Sequence, residues 1–244
     1  MNQKPHTVEI FTEVAPKYEF LNSLMTAGMD RKWRTTMLDV SEAAIGKKPQ
    51  DVLDLATGTG DVPRMMAKRW PHAHITGSDP TAAMLEVAKQ KAKAKKAPAI
   101  FKKISWQEGV AEQLPVENTS LDIITIAFGF RNVAEDKRLA AVQEAYRTLR
   151  PGGAFAILEL GLPQEEQWKT AYKYLLRFGM PTVAGIFSPK GPYKYLAQSI
   201  IDFPPPENIK RMLAKAGFLA FAPRPLSAGM CWLYVGKKPI ALEN

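Results

Sequence analysis

Asp54, Gly58, Thr59, Gly60 and Asp79 have the residue types and spacing needed to hold a small, positively charged ligand. Gly58 and Gly60 lie in the turn Ala56-Thr57-Gly58-Thr59-Gly60. Lacking Cβ atoms, they let the backbone take positive φ and approach a ligand closely, and Asp54, just before the turn, can accept hydrogen bonds from polar ligand groups. A dinucleotide fingerprint needs Gly-x-Gly-x-x-Gly, so that the following helix N-terminus faces a pyrophosphate. Here Asp61 follows Gly60, and Pro63 occupies the third glycine position. Carboxylates at Asp54 and Asp61 serve an anion poorly and suit a cation, such as the sulfonium and amino groups of S-adenosyl-L-methionine. A second acid at the end of the next strand, about 20 residues on, would hold a ribose. Asp79 lies 21 residues after Gly58.

The turn has to be held by a strand before it and a helix after it. Val52, Leu53 and Leu55 predict a short buried strand, and Asp61 to Trp70 the helix. The rhythm then repeats. His74 to Ser78 reads as a strand, Thr81 to about Lys96 as its helix, and Ile100 to Trp106 as a third strand. The polar turn Gly109 to Pro115 follows, in a position to contact an adenine ring. Leu121 to Phe128 is a nearly unbroken apolar strand, as expected for one buried on both faces, and a helix from about Asp136 to Leu149 comes after it. Arg150-Pro151-Gly152-Gly153 predicts a turn before a strand at Ala154 to Leu160.

Alternation of this kind predicts an α/β, Rossmann-like fold: a mainly parallel sheet with helices on both faces. Helical additions are expected at residues 1–50 and 161–205, within one domain over 1–244. In the first addition, Phe11, Val14, Ala15, Tyr18 and Leu21 to Met25 recur at helical spacing, and an amphipathic helix after Gly28 reaches about Val40. In the second, Gln164 to about Gly185 is helical in pattern but carries Gly179 and Pro181, and a short helix begins near Tyr193. Specificity elements are commonly grafted at such an interruption. Glu207 to Ala216 predicts a last helix, with two strands after it, the second around Met230 to Val235.

Composition narrows the class. Of 244 residues, 46% are hydrophobic and 23% charged, enough for a core without covalent staples. The single cysteine, Cys231, excludes an intramolecular disulfide and a cysteine-cluster metal site, and is expected to act as a small buried hydrophobe. No apolar run reaches the roughly 18 residues of a membrane span. The net charge of +9 suits an acidic partner, nucleic acid or an anionic membrane surface. Lys89, Lys91, Lys93, Lys95 and Lys96 cluster near one predicted helix end, where cations also favour the macrodipole, so a solvated face explains them.

The pattern around Asp54 resembles the first motif of Rossmann-like methyltransferases. Other stretches are more particular: Tyr18-Glu19-Phe20-Leu21-Asn22, Gly-x-Asp-Arg-x-Trp-Arg at Gly28 to Arg34, Ala111-Glu112-x-Leu-Pro, Phe128-Gly129-Phe130-Arg131-Asn132-Val133, Leu149-Arg150-Pro151-Gly152-Gly153, and Tyr195-Leu196-x-x-Ser199-Ile200 with Phe203-Pro204. Together they resemble the UbiE/MenG quinone methyltransferases, from about Val8 to the final strand. The resemblance implies S-adenosyl-L-methionine as cofactor and C-methylation of a polyprenylated quinol. Demethylmenaquinol is favoured over a ubiquinone precursor on the stretch Gly28-Met29-Asp30-Arg31. The family's cofactor contacts fall on Thr59, Asp79, Val110, Ala111 and Ala127. Glu19 stands where the family usually has Asp, Val116 where Phe follows Leu-Pro, and Ala127 where a Ser commonly precedes Phe-Gly, which removes a hydroxyl.

Moving a methyl group from sulfonium to an aromatic carbon needs a carbon nucleophile, which a hydroquinone becomes when one hydroxyl ionises. No metal is required. His6, His72 and His74 read as structural, so a histidine base is not expected. Arg131, just past the fourth strand's carboxyl end, is the catalytic candidate, stabilising the developing phenolate. Tyr18, Asp30, Asn132, Glu159, Tyr193 and Tyr195 are candidates for the substrate pocket. The expected partners are the lipid quinol and an anionic membrane surface, met peripherally from the cytoplasmic side. No added nucleic-acid domain and no basic stretch interleaved with aromatics is visible, so no nucleic-acid partner is expected, and a homodimer is compatible with the sequence. An RNA or small-metabolite methyltransferase of the same fold is the alternative, and a cofactor-binding regulator a third reading.

Overall fold

The structure is a computed structural model, and it describes residue 26 and residues 28–179 and 190–240. The expected leading helix over Phe11 to Met25, with Tyr18, lies outside the described residues, as do the side chains of Tyr193 and Tyr195.

Helix α1 (Asp30–Ile45) precedes strand β1 (Asp51–Leu55) and α2 (Asp61–Arg69). Then come β2 (His74–Asp79), α3 (Ala82–Lys93), β3 (Ser105–Glu108), β4 (Leu121–Ala127), α4 (Arg138–Thr148) and β5 (Leu149–Leu160). Helices α5 (Glu166–Tyr174), α6 (Lys190–Ile201) and α7 (Pro206–Lys215) follow, then β6 (Leu219–Ala220), β7 (Arg224–Leu226) and β8 (Cys231–Lys237). The sheet order is β3-β2-β1-β4-β5-β8-β6, with β7 also on β8. The first five strands of that order are mutually parallel, whereas β8 runs antiparallel to β5. The order turns outward in both directions from β1 and β4, and ligands of such sheets bind beyond the strands' carboxyl ends at that switch point.

The period of two along each strand divides the core. Val52, Ile123, Ala154, Ala156 and Leu158 face one layer, packed with Trp33, Met37, Val62 and Met66 of α1 and α2. Leu53, Leu55, Ile124, Ile126, Phe155 and Ile157 face the other, packed with Val142, Ile209 and Leu213 of α4 and α7. Helix α1 runs five residues past the expected Val40 because Met37, Ser41 and Ile45 keep the apolar stripe going. It stops at Gly46 in the left-handed region (φ 69°), whose N–H donates to the Glu42 carbonyl.

Three expected elements differ. Ile100 to Trp106 is not one strand: Ala99–Lys103 forms a tight 3₁₀ turn and only Ser105–Glu108 pairs with β2. Phe101 and Ile104 are buried from within that turn, with Lys68 of α2 over the Phe101 ring, so the apolar residues find cover without alternating. The proline-glycine stretch at 150–153 is no free turn but a bulge inside β5, at a register shift opposite Leu121 to Ile123. Gly152, at φ 80°, donates its N–H to Lys238, and Lys238 returns one to Gly153. The chain end supplies three strands, not two, because β7 folds back on β8 beyond the Ser227–Gly229 turn.

At the sheet edge away from the glycine turn, Asp122 is buried and accepts from the N–H groups of Gln50 (2.8 Å) and Asp51 (3.1 Å), Lys47 (3.0 Å) and Arg150 (3.1 Å). Burial alone would push its carboxyl up, but the Gln50, Lys47 and Asp51 hydrogen bonds outweigh it and hold the group below the usual range. A lowered folded-state value means that this stabilisation is full above about pH 4 and is lost as pH falls further. Asp122→Asn is expected to cost about 1 to 3 kcal/mol at neutral pH and to shrink the gap to wild type near pH 3. Urea unfolding at both pH values measures it, and a gap that does not change with pH would show that the charge contributes nothing.

Candidate active site

The carboxyl ends of β1, β2, β4 and β5 converge where the glycine turn stands. Asp79, the last residue of β2, is buried and ties the turn down: Oδ2 accepts the Gly58 N–H at 2.8 Å and Oδ1 the Thr81 N–H at 2.9 Å. The Thr57 N–H adds a bond to the Ser78 carbonyl at 3.0 Å. Burial raises the Asp79 carboxyl above its ordinary range, against those two backbone donors. The Gly109 N–H reaches the Asp79 carbonyl at 3.3 Å, and Val110 bridges to Gln113, which brings the Val110-Ala111 turn alongside β2.

Asp54 is almost completely buried, and both of its oxygens are engaged by the protein: Oδ2 by the Thr57 hydroxyl (2.7 Å) and Oδ1 by the Thr125 hydroxyl (2.6 Å). Burial pushes this carboxyl up to about 7, opposed by the two hydroxyls and by the Arg34 guanidinium. Gly58 and Gly60 do take positive φ, 54° and 82°. At Gly60, however, the missing Cβ leaves room for protein: a Cβ there would come within 2.5 Å of Trp106 Cη2. Gly77 of β2 meets the same ring at 2.8 Å, so the indole of the edge strand β3 braces the turn from behind. Nothing in the local sequence marks Trp106, because only strand register shows it facing two glycines.

Arg131, at the turn after β4, is 8% exposed. Its Nη1 donates to Glu159 Oε1 at 2.7 Å and to the Phe128 carbonyl, and its backbone N–H to Glu159 Oε2 at 3.0 Å. Glu159, near the end of β5, also accepts the Leu160 N–H at 2.9 Å and has no solvent exposure. The expected substrate candidate Glu159 is therefore a fully buried partner of the expected catalytic arginine. Arg138 donates to the carbonyls of Arg131 and Val133, pinning the far side of this turn. Phe128 adopts φ 59°, an uncommon conformation for a non-glycine residue, and Gly129 is required because a Cβ there would lie 2.5 Å from Ala56 Cβ. Asn132 follows in the same turn, its N–H on the Gly129 carbonyl.

Helix α1 closes the site from above. Arg34 pairs with Asp30 at 2.6 Å and Asp61 at 3.4 Å and lies over the Phe128 ring, 5.4 Å from its centre. Asp30, expected in the substrate pocket, thus holds Arg34 and also accepts from Thr26 at 3.3 Å. Arg34 and Asp54 line a small pocket together with Gly58, Thr59, Asp61 and Ala127. Arg34 and Asp61 also border an open cleft of about 690 Å³ between α1 and α2. The motif Gly28 to Arg34 by itself gives Arg34 no role; the pairing with Asp61 across the fold gives it a place.

Among the described residues, the Arg34 Nε and Ser78 Oγ atoms are buried with no hydrogen-bond partner. Orphaned polar atoms beside a carboxylate-bearing glycine turn fit a polar cofactor with charges of both signs, as expected for S-adenosyl-L-methionine. His72 and His74 stand apart: His72 bonds the Pro49 carbonyl and His74 begins β2 beside Asp51, at the end of the strands away from the glycine turn. Cys231 is buried within β8, and burial raises its thiol.

Residues 1–238 match the profile of the ubiE/COQ5 methyltransferase family. A demethylmenaquinone methyltransferase of Thermus thermophilus is 37% identical over 231 residues, covering 94% of this chain and 100% of the relative. The ubiquinone/menaquinone biosynthesis C-methyltransferase UbiE of Geotalea daltonii is 38% identical over 232 residues, covering 94% and 95%. In structure, the chain resembles phosphoethanolamine N-methyltransferase 2 of Haemonchus contortus in complex with S-adenosyl-L-methionine, with a TM-score of 0.58 and 16% identity over 84% of this chain and 52% of that one. That likeness concerns the fold, whereas the sequence matches run over nearly the full length of the chain. The chain is a methyltransferase and belongs to the ubiE/COQ5 family.

Proposed function

We propose that this methyltransferase carries a methyl group from S-adenosyl-L-methionine to a ring carbon of a reduced polyprenylated quinone, converting a demethylmenaquinol to a menaquinol. The observation that carries this reading is the Asp79 carboxylate, buried at the end of β2 and bonded to the Gly58 N–H of the cofactor turn, in a chain with relatives named for demethylmenaquinone methylation. When bound, the cofactor supplies an electrophilic methyl group. Asp79 would accept from the ribose hydroxyls, the turn at Val110 and Ala111 would flank the adenine, and Asp54, Thr59 and Ala127, which line the small pocket beside the glycine turn, would hold the remainder. Arg131, its guanidinium held by Glu159 and the Phe128 carbonyl, donates to the quinol oxygen as that oxygen becomes a phenolate. Negative charge passes from this oxygen into the ring and makes the carbon nucleophilic, while an ordered water accepts the hydroxyl proton; once that carbon carries the methyl group, its own proton leaves and the oxygen is reprotonated, restoring the aromatic quinol.

The direct test is incubation with labelled S-adenosyl-L-methionine and a membrane lipid extract kept reduced, followed by mass analysis of the quinones. One added methyl group on menaquinone precursors is expected. Label on ubiquinone precursors alone would move the substrate class, and label in RNA with none in lipid would overturn the reading. Asp79→Ala is expected to weaken S-adenosyl-L-methionine binding at least tenfold, since each charge-assisted bond contributes about 1.5 to 3 kcal/mol. Titration calorimetry decides it, and unchanged affinity would move the ribose contact away from β2.

A substrate with an insoluble tail has to be met at a bilayer. Among the described residues no helix is long and apolar enough to cross a membrane. Contact at the surface is supported by the +9 net charge and by Trp168, Tyr174, Leu175 and Phe178, which stand exposed on α5 and the wider π-type turn after it, with Lys169, Lys173 and Arg177 on the same segment. Attraction between charges is screened over about 8 Å at physiological salt. Binding to anionic vesicles is therefore expected to fall when salt is raised. Sedimentation that ignores salt would assign attachment to the apolar residues of α5 instead.

A further inference from the structure

Arg34 is more than nine-tenths buried, and its surroundings set out a particular charge pattern. It lines the small pocket beside Gly58, Thr59 and Ala127, and the carboxylates of Asp54 and Asp61 line it too. Nη1 is engaged by Asp30 and Asp61, yet Nε has no hydrogen-bond partner among the described residues. A buried guanidinium donor left without an acceptor costs stability unless an acceptor arrives. The Phe128 ring meets this guanidinium through its face and leaves the in-plane donors for oxygen.

An arginine between two carboxylates has the complement of an α-amino acid zwitterion. A carboxylate matches the planar fork, which favours paired oxygens over a point charge, and the acids meet the ammonium and the sulfonium. We propose that Arg34 binds the carboxylate of the amino-acid end of S-adenosyl-L-methionine, with Asp30 as the positioning residue that orients the guanidinium from one turn earlier on α1. This rests on the methyltransferase reading above and assigns the end of the cofactor opposite to Asp79. Helix α1 then closes on the site by touching the cofactor itself. The cleft between α1 and α2, which shares Arg34 and Asp61 with the pocket, is the route by which the amino-acid end enters.

The test compares S-adenosyl-L-methionine with its decarboxylated analogue, which keeps the nucleoside, sulfonium and amine, by titration calorimetry. Wild type should bind the intact cofactor at least about tenfold more tightly, the range of a single charge-assisted hydrogen bond. In Arg34→Gln this preference should vanish, through loss of affinity for the intact cofactor with binding of the analogue kept. Arg34→Lys should retain part of it. Equal binding of both compounds by wild type overturns the assignment without any variant. So does an Arg34→Gln protein that keeps the preference, or one that loses both ligands equally, which would assign Arg34 to packing alone. A wild-type protein that binds neither compound fails the cofactor reading itself.

Discussion

Glu159→Ala is expected to lower the free energy of unfolding by about 3 to 5 kcal/mol, because it removes the carboxylate of a buried ion pair with Arg131. The side chains of the pair are 4% and 0% exposed, so water cannot take over the lost contacts without opening the ends of β4 and β5. Glu159 also accepts two backbone N–H groups, from Arg131 and Leu160, and both would be orphaned together. Glu159→Gln, which keeps the shape and one acceptor oxygen, should cost less. Replacing both partners by leucine should recover much of the loss, since a buried ion pair replaced by apolar groups is often neutral or better. Urea denaturation followed by circular dichroism measures all of these. A loss below about 1 kcal/mol for Glu159→Ala would mean that solvent reaches the pair after all.

For Arg131→Lys the expected result is a fall in the rate of methyl transfer of about 100-fold or more, with S-adenosyl-L-methionine bound normally. An ammonium keeps the charge but has no planar fork with which to hold Glu159, the Phe128 carbonyl and a phenolate in one geometry. Because the pair with Glu159 is structural as well, rate and stability have to be read side by side. Single-turnover rates with reduced substrate should recover in the variant as pH approaches the phenol's own ionisation near 10, where help with deprotonation is no longer needed. A wild-type-like rate sinks the catalytic role. A slow rate with no recovery at high pH would trace the defect to a displaced β4 turn.

What could be read beforehand was local in the chain. The run from Asp54 to Gly60 places strand, turn and helix within ten residues, and Asp79 follows at the spacing set by one helix and one strand. The apolar stretch Leu121 to Ala127 announced a central strand on its own. What stayed hidden depends on partners far along the chain. Gly60 suggested a ligand, whereas its close neighbour is Trp106, 46 residues later. Arg131 suggested chemistry, and its counter-charge 28 residues on could not be paired with it before the register of β4 and β5 was known. Ile100, Phe101 and Ile104 fit a strand or a buried turn equally well by hydropathy, and packing against α2 chose the turn.

Strand β8 has a consequence for how the protein is made. It inserts between β5 and β6 and begins 71 residues after β5 ends, pairing with it from Ala154 to Leu160. During synthesis, β5 therefore waits with one edge uncovered until the 70 residues between the two strands, and β8 itself, have also left the ribosome, and an uncovered apolar edge is a template for pairing with other chains. The interval should make nascent chains of this protein dependent on chaperone shielding, and premature termination before Cys231 should yield aggregates more readily than a destabilised chain that includes β8 would.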